Sequence, residues 1–140
     1  MILLTACGSN NKHQEAENLL TQARTLFEQK EYVEALTYID LLRHAYPNAI
    51  ETRRKALALY QEIELKRAQE ELAKTDSLLQ QVQRDLNDQQ VKVDKDKAAL
   101  RATPEELTTL TQTRIKRDSL RTQCETLGAK IRYIHKKQKE

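Results

Sequence analysis

Two cysteines and three histidines are the side chains of this chain best suited to nucleophilic or metal chemistry. The histidines, His13, His44 and His135, stand far apart, and none forms a metal-site spacing with Cys, Asp or Glu. The cysteines, Cys7 and Cys124, have no histidine in a catalytic grouping, and no Ser-His-Asp set can be assembled. The sequence therefore predicts a protein that is not an enzyme and that holds no cofactor and no metal.

The numerous carboxylates alternate with basic residues instead of converging on one site. Glu62/Lys66 and Glu70/Lys74 show the i,i+4 spacing that stabilises a solvated helix by a few tenths of a kcal/mol per pair. The net charge is +3, and the excess lies in residues 104–140. A mildly basic tail of this kind is not the broad positive field of a nucleic-acid-binding protein.

The elements that would carry these side chains are helices. About half of the chain consists of Leu, Ala, Glu, Lys and Arg, whereas Gly and Pro occur only twice each. Such a composition is typical of long helices and coiled coils. Glycine-rich phosphate loops, β-sandwiches and doubly wound α/β folds need more turn residues. The sequence predicts an all-α protein.

Residues Leu4-Thr5-Ala6-Cys7 resemble the lipobox of bacterial lipoproteins. In that family a large apolar residue and two small residues precede a cysteine that is acylated, and the chain is cleaved before it. The resemblance implies a truncated signal over residues 1–7 and a lipid anchor at Cys7. Each buried CH₂ of an acyl chain contributes about 0.8 kcal/mol to membrane attachment.

Only six residues, none of them charged, precede Cys7, whereas a complete signal has a basic and an apolar segment. Either the start lies upstream or the match is accidental. Gly8 stands where such lipoproteins carry the Asp that retains them in the inner membrane, so the resemblance favours the outer membrane of the cell envelope. The polar residues 8–15 predict a linker. No apolar run reaches the roughly 18–20 residues of a membrane span.

Residues 16–49 resemble a tetratricopeptide repeat, which implies two antiparallel helices in close contact. One apolar stripe ends before Gln29-Lys30-Glu31, and a second ends before Tyr46-Pro47-Asn48. The second break is expected to end a helix, because Pro47 restricts the residue before it and lacks an amide donor. The positions that match the repeat are Leu19, Ala23, Leu26, Tyr32, Ala35, Ile39 and Pro47. A single repeat cannot bury its faces alone, so a third helix near 50–60, an oligomer or the downstream region must cover it. A generic helical hairpin is the alternative.

The concave face of such repeats binds peptides. On the register above, the residues of that face would be Glu17, Leu20, Arg24 and Phe27, joined by Glu51 and Arg54 of the next helix. The resemblance implies a protein partner whose carboxylate is held by Arg24 and Arg54. The alternative is that Leu20 and Phe27 pack against the third helix.

From Asn48 to about Arg101 the chain has no Pro, no Gly and no turn cluster, which predicts one helix of about 50 residues. Its apolar residues recur every seven positions, at Leu65, Leu72, Leu79, Leu86, Val93 and Leu100. The companion positions three residues later begin with Ala68 and become polar at Gln89 and Asp96. This recurrence predicts a left-handed coiled coil.

A further helix is predicted to start at Thr103-Pro104-Glu105-Glu106, with Thr103 and Glu106 as a capping box. Its apolar stripe is Leu107, Leu110, Leu120, Cys124, Leu127, Ile131 and Ile134. After the repeat-like helices of 16–60, residues 61–140 are therefore predicted to form an antiparallel coiled-coil hairpin. Its tip lies near 101–103, and the numbers of facing residues add up to about 204. Two chains running side by side would satisfy the same pattern.

These expectations combine into a membrane-tethered, non-enzymatic adaptor or scaffold of the bacterial cell envelope, binding a protein partner or a second copy of itself through helical surfaces. Cys124 is predicted to be a small buried hydrophobe; an intermolecular disulfide requires two such residues to face each other in an oxidising compartment. The alternative function is a soluble intracellular coiled-coil protein whose basic last helix contacts nucleic acid. The basic residues in question are Lys130, Arg132, Lys136, Lys137 and Lys139.

Overall fold

The computed structural model describes residues 7–140, which form four α-helices joined by short turns. The helices are α1 (Cys7–Glu28), α2 (Tyr32–Ala45), α3 (Ile50–Ala98) and α4 (Pro104–Gln138). The described residues contain no strand, which confirms the predicted all-α class. The signal residues before Cys7, with the first three lipobox positions, lie outside the described residues.

Helix α1 begins at Cys7, whereas the sequence predicts a linker over 8–15. The polar segment is helical because it has one glycine, no proline and contacts with the end of α2. Tyr46 Oη donates a hydrogen bond to Glu15 Oε2 at 2.8 Å, and Lys12 and His13 line a cleft with the α2–α3 turn. Residues 10–15 are thus polar because they lie on the surface, although they are helical.

Backbone contacts divide the chain into two units. Unit 1 comprises the chain up to Arg67 together with Lys136–Glu140, and unit 2 comprises Ala68–His135. Helices α1, α2 and the first part of α3 therefore belong to unit 1, while the rest of α3 and most of α4 belong to unit 2.

The core of unit 1 is apolar and is built from three helices. Its buried members are Leu20 and Ala23 of α1, Ala35, Ile39 and Leu42 of α2, and Ala56, Leu59 and Ile63 of α3. The first part of α3 covers the α1–α2 pair, as expected for a third helix. Ala23 and Ala35 have no exposed surface, so each packs without a gap in this cluster.

Unit 2 has a narrower apolar seam between α3 and α4. Its buried cluster consists of Leu86, Val93 and Leu110. Polar bonds cross between the helices in reverse order along the chain, from Lys92 to Glu106, from Gln90 to Arg114 and from Gln83 to Arg117. The two helices are therefore antiparallel in this unit. Gln90 and Arg114 match the predicted pairing sum of 204, and the Arg117 partner lies about one turn away from its predicted place.

Leu100 was predicted to continue the seam of α3, but its side chain is 95% exposed. Helix α3 has already ended at Ala98, and Leu100 adopts the left-handed region with φ of 59°. Its N–H donates to Lys97 O at 3.0 Å, and the next N–H, that of Arg101, donates to Asp96 O at 2.7 Å. This is a Schellman motif without its usual glycine. The seven-residue pattern identified apolar positions but not the residue at which the helix stops.

Thr103 and Glu106 form the predicted capping box at the start of α4. Glu106 N–H donates to Thr103 Oγ1, and Thr103 N–H donates to Glu106 Oε2, each at 3.2 Å. Pro104 occupies the first helical position, where a missing amide donor costs nothing.

Candidate functional site

Cys7 is the first residue of α1, so the proposed lipid attachment point is directly followed by helix. The resemblance to a lipobox depends equally on Leu4, Thr5 and Ala6, which lie outside the described residues. The lipid anchor therefore stays a prediction from sequence.

Glu17, the first predicted partner-binding residue, is held by α3. Its Oε1 accepts a hydrogen bond from Thr52 Oγ1 at 2.8 Å and pairs with Lys55 Nζ at 3.1 Å. The Thr52 hydrogen bond, followed by that of Lys55, lowers the pKa of the Glu17 carboxyl below its ordinary value of 4.5. Because Thr52 is fully buried, the carboxylate also satisfies a hydroxyl inside unit 1. No local sequence pattern indicates this contact, since the partners are 35 residues apart.

Leu20 and Phe27 pack inward in unit 1. Leu20 is buried in the cluster with Ala56, Leu59 and Ile63 of α3, and Phe27 lies against the same cluster. The Phe27 ring also faces Tyr32, with a centroid distance of 6.0 Å. For Leu20 this is the alternative placement, beside residues of the third helix, and it leaves Leu20 almost no surface for a peptide.

Arg24, Glu51 and Arg54 are the residues of the predicted face that remain exposed. Arg54 Nη1 pairs with Glu51 Oε1 on the same helix at 3.1 Å. An exposed pair of this kind contributes little to stability and exchanges readily with another carboxylate. The structure thus leaves two arginines of the predicted set accessible, and their role in partner binding stays a prediction.

Unit 1 carries two surface clefts. One, of about 450 Å³, lies between α1 and α2 and is lined by Thr21, Gln22, Thr25, Leu26, Glu34 and Tyr38. The other, of about 730 Å³, lies between the start of α1 and the α2–α3 turn and is lined by Lys12, His13 and residues 45–49. The second cleft was not predicted, because residues 8–15 were expected to form a linker.

A polar cluster lies near the α3–α4 turn of unit 2. Lys92 Nζ contacts Glu106 and, at 3.0 Å, Asp96 Oδ2. Arg101 lies 3.6 Å from the same Asp96 carboxylate. Hydrogen bonding to Glu106 and Asp96 raises the pKa of Lys92, while hydrogen bonding to Lys92 lowers the pKa of Asp96. The predicted polar seam position at Asp96 is thus paired rather than left unsatisfied.

Cys124 is half-buried in unit 2 and is a free cysteine within the described residues. Burial, together with Asp76 and Glu125, raises the pKa of its thiol above the ordinary value of 9.0. A thiol of raised pKa is mostly protonated near neutral pH and is a poor nucleophile. These features fit the predicted small hydrophobe.

Within residues 7–140, no three or more His, Cys, Asp or Glu side chains are arranged to hold a metal ion. His44 Nδ1 lies 2.8 Å from the Asp40 carbonyl oxygen one turn earlier on α2. None of the described helices is long and apolar enough to cross a membrane.

The polar contacts of Glu17, Lys92 and Thr103 join one helix to another or stabilise a helix end. Accessible features of unit 1 include the two clefts and the arginines of α1 and α3. Comparison of the chain with protein-family models, with curated proteins and with solved structures found no match.

Proposed function

We propose that this protein is a lipid-anchored, non-enzymatic adaptor of the bacterial cell envelope, with the outer membrane as the favoured location. The observation that carries the proposal is the Leu4-Thr5-Ala6-Cys7 pattern in front of a chain that is helical from Cys7 onward. An acylated cysteine at this place fixes the start of α1 at a bilayer surface. The helices then provide binding surface in the aqueous space beside the membrane.

Unit 1 is the part that takes a protein partner in this proposal, through tetratricopeptide-like helices. In support, the small residues Ala23 and Ala35 of the repeat pattern are both fully buried in one cluster, and α3 supplies the covering helix. The partner binds the exposed side of these helices, where Arg24 and Arg54 are accessible and suit a carboxylate.

Unit 2 acts in this proposal as a coiled-coil spacer or oligomerisation arm. In support, the seven-residue seam positions of α3 are buried or half-buried throughout the unit. They are Ala68, Leu72, Thr75, Leu79, Val82, Leu86, Gln89, Val93 and Asp96. A seam that repeats at this spacing packs against a partner helix along its whole length.

Detergent partitioning of the protein made in a bacterial host, with its natural upstream coding region, tests the anchor. Wild type and Cys124→Ala are expected in the detergent phase and the membrane fraction, and Cys7→Ala in the aqueous phase. Cys124→Ala is the matched control because it removes the other cysteine. Partitioning of all three proteins into the aqueous phase would contradict the proposal. Steeply salt-dependent binding of nucleic acid by the aqueous protein would then favour the soluble coiled-coil alternative.

A further inference from the structure

One end of unit 1 combines apolar, aromatic and basic side chains on a single surface, here called the turn face. It consists of Lys12, His13, Tyr46, Asn48, Ile50 and Arg53. The start of α1 and the α2–α3 turn meet here, since Tyr46 Oη bonds Glu15 and both segments line one cleft of about 730 Å³. Two carboxylates adjoin this surface, and both have partners: Glu15 accepts the Tyr46 hydrogen bond, and Glu51 pairs with Arg54.

The apolar part of the turn face is Ile50, which is the first residue of α3 and is 60% exposed. The basic part is Lys12, on the exposed side of α1, and Arg53, whose Nη1 donates to Pro47 O at 2.8 Å. That hydrogen bond holds the guanidinium beside the turn instead of along α3. Aliphatic, aromatic and cationic groups in this combination are typical of surfaces that lie in the headgroup region of a bilayer.

The distance from Cys7 fixes where this surface would stand relative to an anchored lipid. Because α1 is helical from Cys7, Lys12 lies about 7–8 Å from Cys7 along the helix axis, at 1.5 Å per residue. The headgroup region on each side of a bilayer is of similar thickness, roughly 5–8 Å. A flexible linker would have allowed many distances between Cys7 and Lys12, whereas a helix fixes their separation.

We propose that the turn face docks against the anionic phospholipid surface to which Cys7 is anchored. Lys12 and Arg53 lie against lipid phosphates, and Ile50 enters the interfacial region. The occupant is a lipid surface rather than a protein, since Lys12 lies within headgroup distance of the attachment residue and Ile50 is an exposed aliphatic side chain at the turn that meets the start of α1. The inference rests on the proposed lipid anchor and adds to it an orientation of unit 1 against the membrane.

A tryptophan depth measurement tests the proposal, because the chain contains no tryptophan and each variant then has a single reporter. Full-length protein with Cys124→Ala is coupled through Cys7 to maleimide-bearing vesicles of phosphatidylcholine with about 25% phosphatidylglycerol. The reporter is Ile50→Trp, and the matched control is Val33→Trp. Val33 is 64% exposed and lies about 18 Å from the end of α2 near the turn face.

We expect brominated lipids to quench Ile50→Trp by about half and to leave Val33→Trp nearly unchanged, provided that phosphatidylglycerol is present. Equal quenching of the two reporters, or none at Ile50→Trp, would overturn the docking. Equal quenching of Ile50→Trp in pure phosphatidylcholine would overturn the role of the anionic headgroup. Since the anchor is supplied chemically, these results do not depend on whether a cell acylates Cys7, which the detergent partitioning decides separately.

Charge removal supplies a second readout on the same vesicles. Lys12→Ala with Arg53→Ala is expected to reduce the quenching of Ile50→Trp severalfold, since each cation near an anionic surface favours contact. Lys30→Ala with Lys66→Ala removes the same charge at exposed positions elsewhere in unit 1 and is expected to leave the quenching unchanged. Equal reduction by both pairs would contradict a localised face. Lys12→Glu, an exposed change that leaves the Arg53–Pro47 bond intact, repeats the test if Arg53→Ala disturbs the fold.

Discussion

Unit 1 and unit 2 bury apolar side chains in different arrangements. In unit 1 three helices contribute to one cluster, so a core residue such as Leu42 is surrounded on several sides. In unit 2 two helices share a seam whose buried cluster is Leu86, Val93 and Leu110, and polar residues such as Gln89 and Asp96 occupy other seam positions. Two packed helices bury side chains only along the line where they touch, whereas three helices surround their core side chains on several sides. We therefore expect unit 1 to lose more stability per deleted core side chain than unit 2.

The largest effect is expected for Leu42→Ala in unit 1. Leu42 has no exposed surface, so its truncation removes buried methyl groups and leaves a cavity, at a cost of about 2–5 kcal/mol. The matched control is the neighbouring Leu41→Ala, because Leu41 is 51% exposed and should change stability by less than about 1 kcal/mol. Urea unfolding followed by circular dichroism measures both. Equal losses would contradict the assignment of the core.

The second effect is expected for Val93→Ala in the unit 2 seam. Val93 is almost fully buried, and removing two methyl groups there should cost about 2 kcal/mol. The control is Val91→Ala, two residues away and 70% exposed, with an expected change below about 0.5 kcal/mol. Hydrogen exchange should place the lost protection in residues 68–135. A loss as large as that of Leu42→Ala would remove the difference between the units.

The α3–α4 turn is expected to contribute to the stability of the protein through its capping box. Thr103→Ala removes the acceptor of the Glu106 N–H and should destabilise the protein by about 1 kcal/mol. Thr108→Ala is the control on the same helix, since the exposed Thr108 hydroxyl only donates to Pro104 O one turn back. If the two variants unfold at the same urea concentration, the cap has no energetic role.

Leu100→Gly should instead stabilise the protein. Leu100 adopts a left-handed conformation that costs a residue with a Cβ about 1 kcal/mol relative to glycine, and its exposed side chain has little packing to lose. The neighbouring Ala99→Gly is the control: glycine there only increases the entropy of the unfolded chain and should cost roughly 0.5–1 kcal/mol. A loss of stability in Leu100→Gly would show that Leu100 makes a contact not visible in this structure.

The smallest expected change in stability is the pH-dependent contribution of Glu17 in unit 1. Hydrogen bonds from Thr52 and Lys55 lower the pKa of Glu17, so their stabilisation is present above pH 4.5 and is lost as the pH falls below that value. Glu17→Gln should therefore cost about 0.5 kcal/mol at pH 7, and this cost should shrink as the pH falls through the lowered pKa of Glu17. Glu28→Gln, an exposed change of the same charge on α1, should show no such difference. A Glu17→Gln cost that persists in acid would contradict the ionised hydrogen bond.

Much of the helical layout was predictable because it depends on local rules. The seven-residue recurrence located the buried side of α3 at Leu86 and Val93, and the capping box located the start of α4 at Thr103. The absence of Pro and Gly indicated the single long helix, and Pro47 indicated the end of α2. Periodicity and capping act within a few residues, so a sequence displays them directly.

The remaining features depend on contacts that sequence spacing does not encode. The Glu17–Thr52 bond joins residues of different helices, and the Tyr46–Glu15 bond joins α1 to the α2–α3 turn. Leu100 matched the apolar pattern, but the Schellman motif placed it outside the helix. The predicted binding face also depends on such contacts, because Leu20 of α1 is buried in a cluster to which α3 contributes.

Intact mass of the protein isolated from a bacterial host tests the central claim, the lipid anchor at Cys7, most directly. We expect a mature wild-type chain that has lost every residue before Cys7 and carries the added mass of acyl chains. Cys7→Ala should show neither change, and Cys124→Ala should show both. An unmodified wild-type mass identical in processing to Cys7→Ala would contradict the claim, and the placement of this protein in the cell envelope would fall with it.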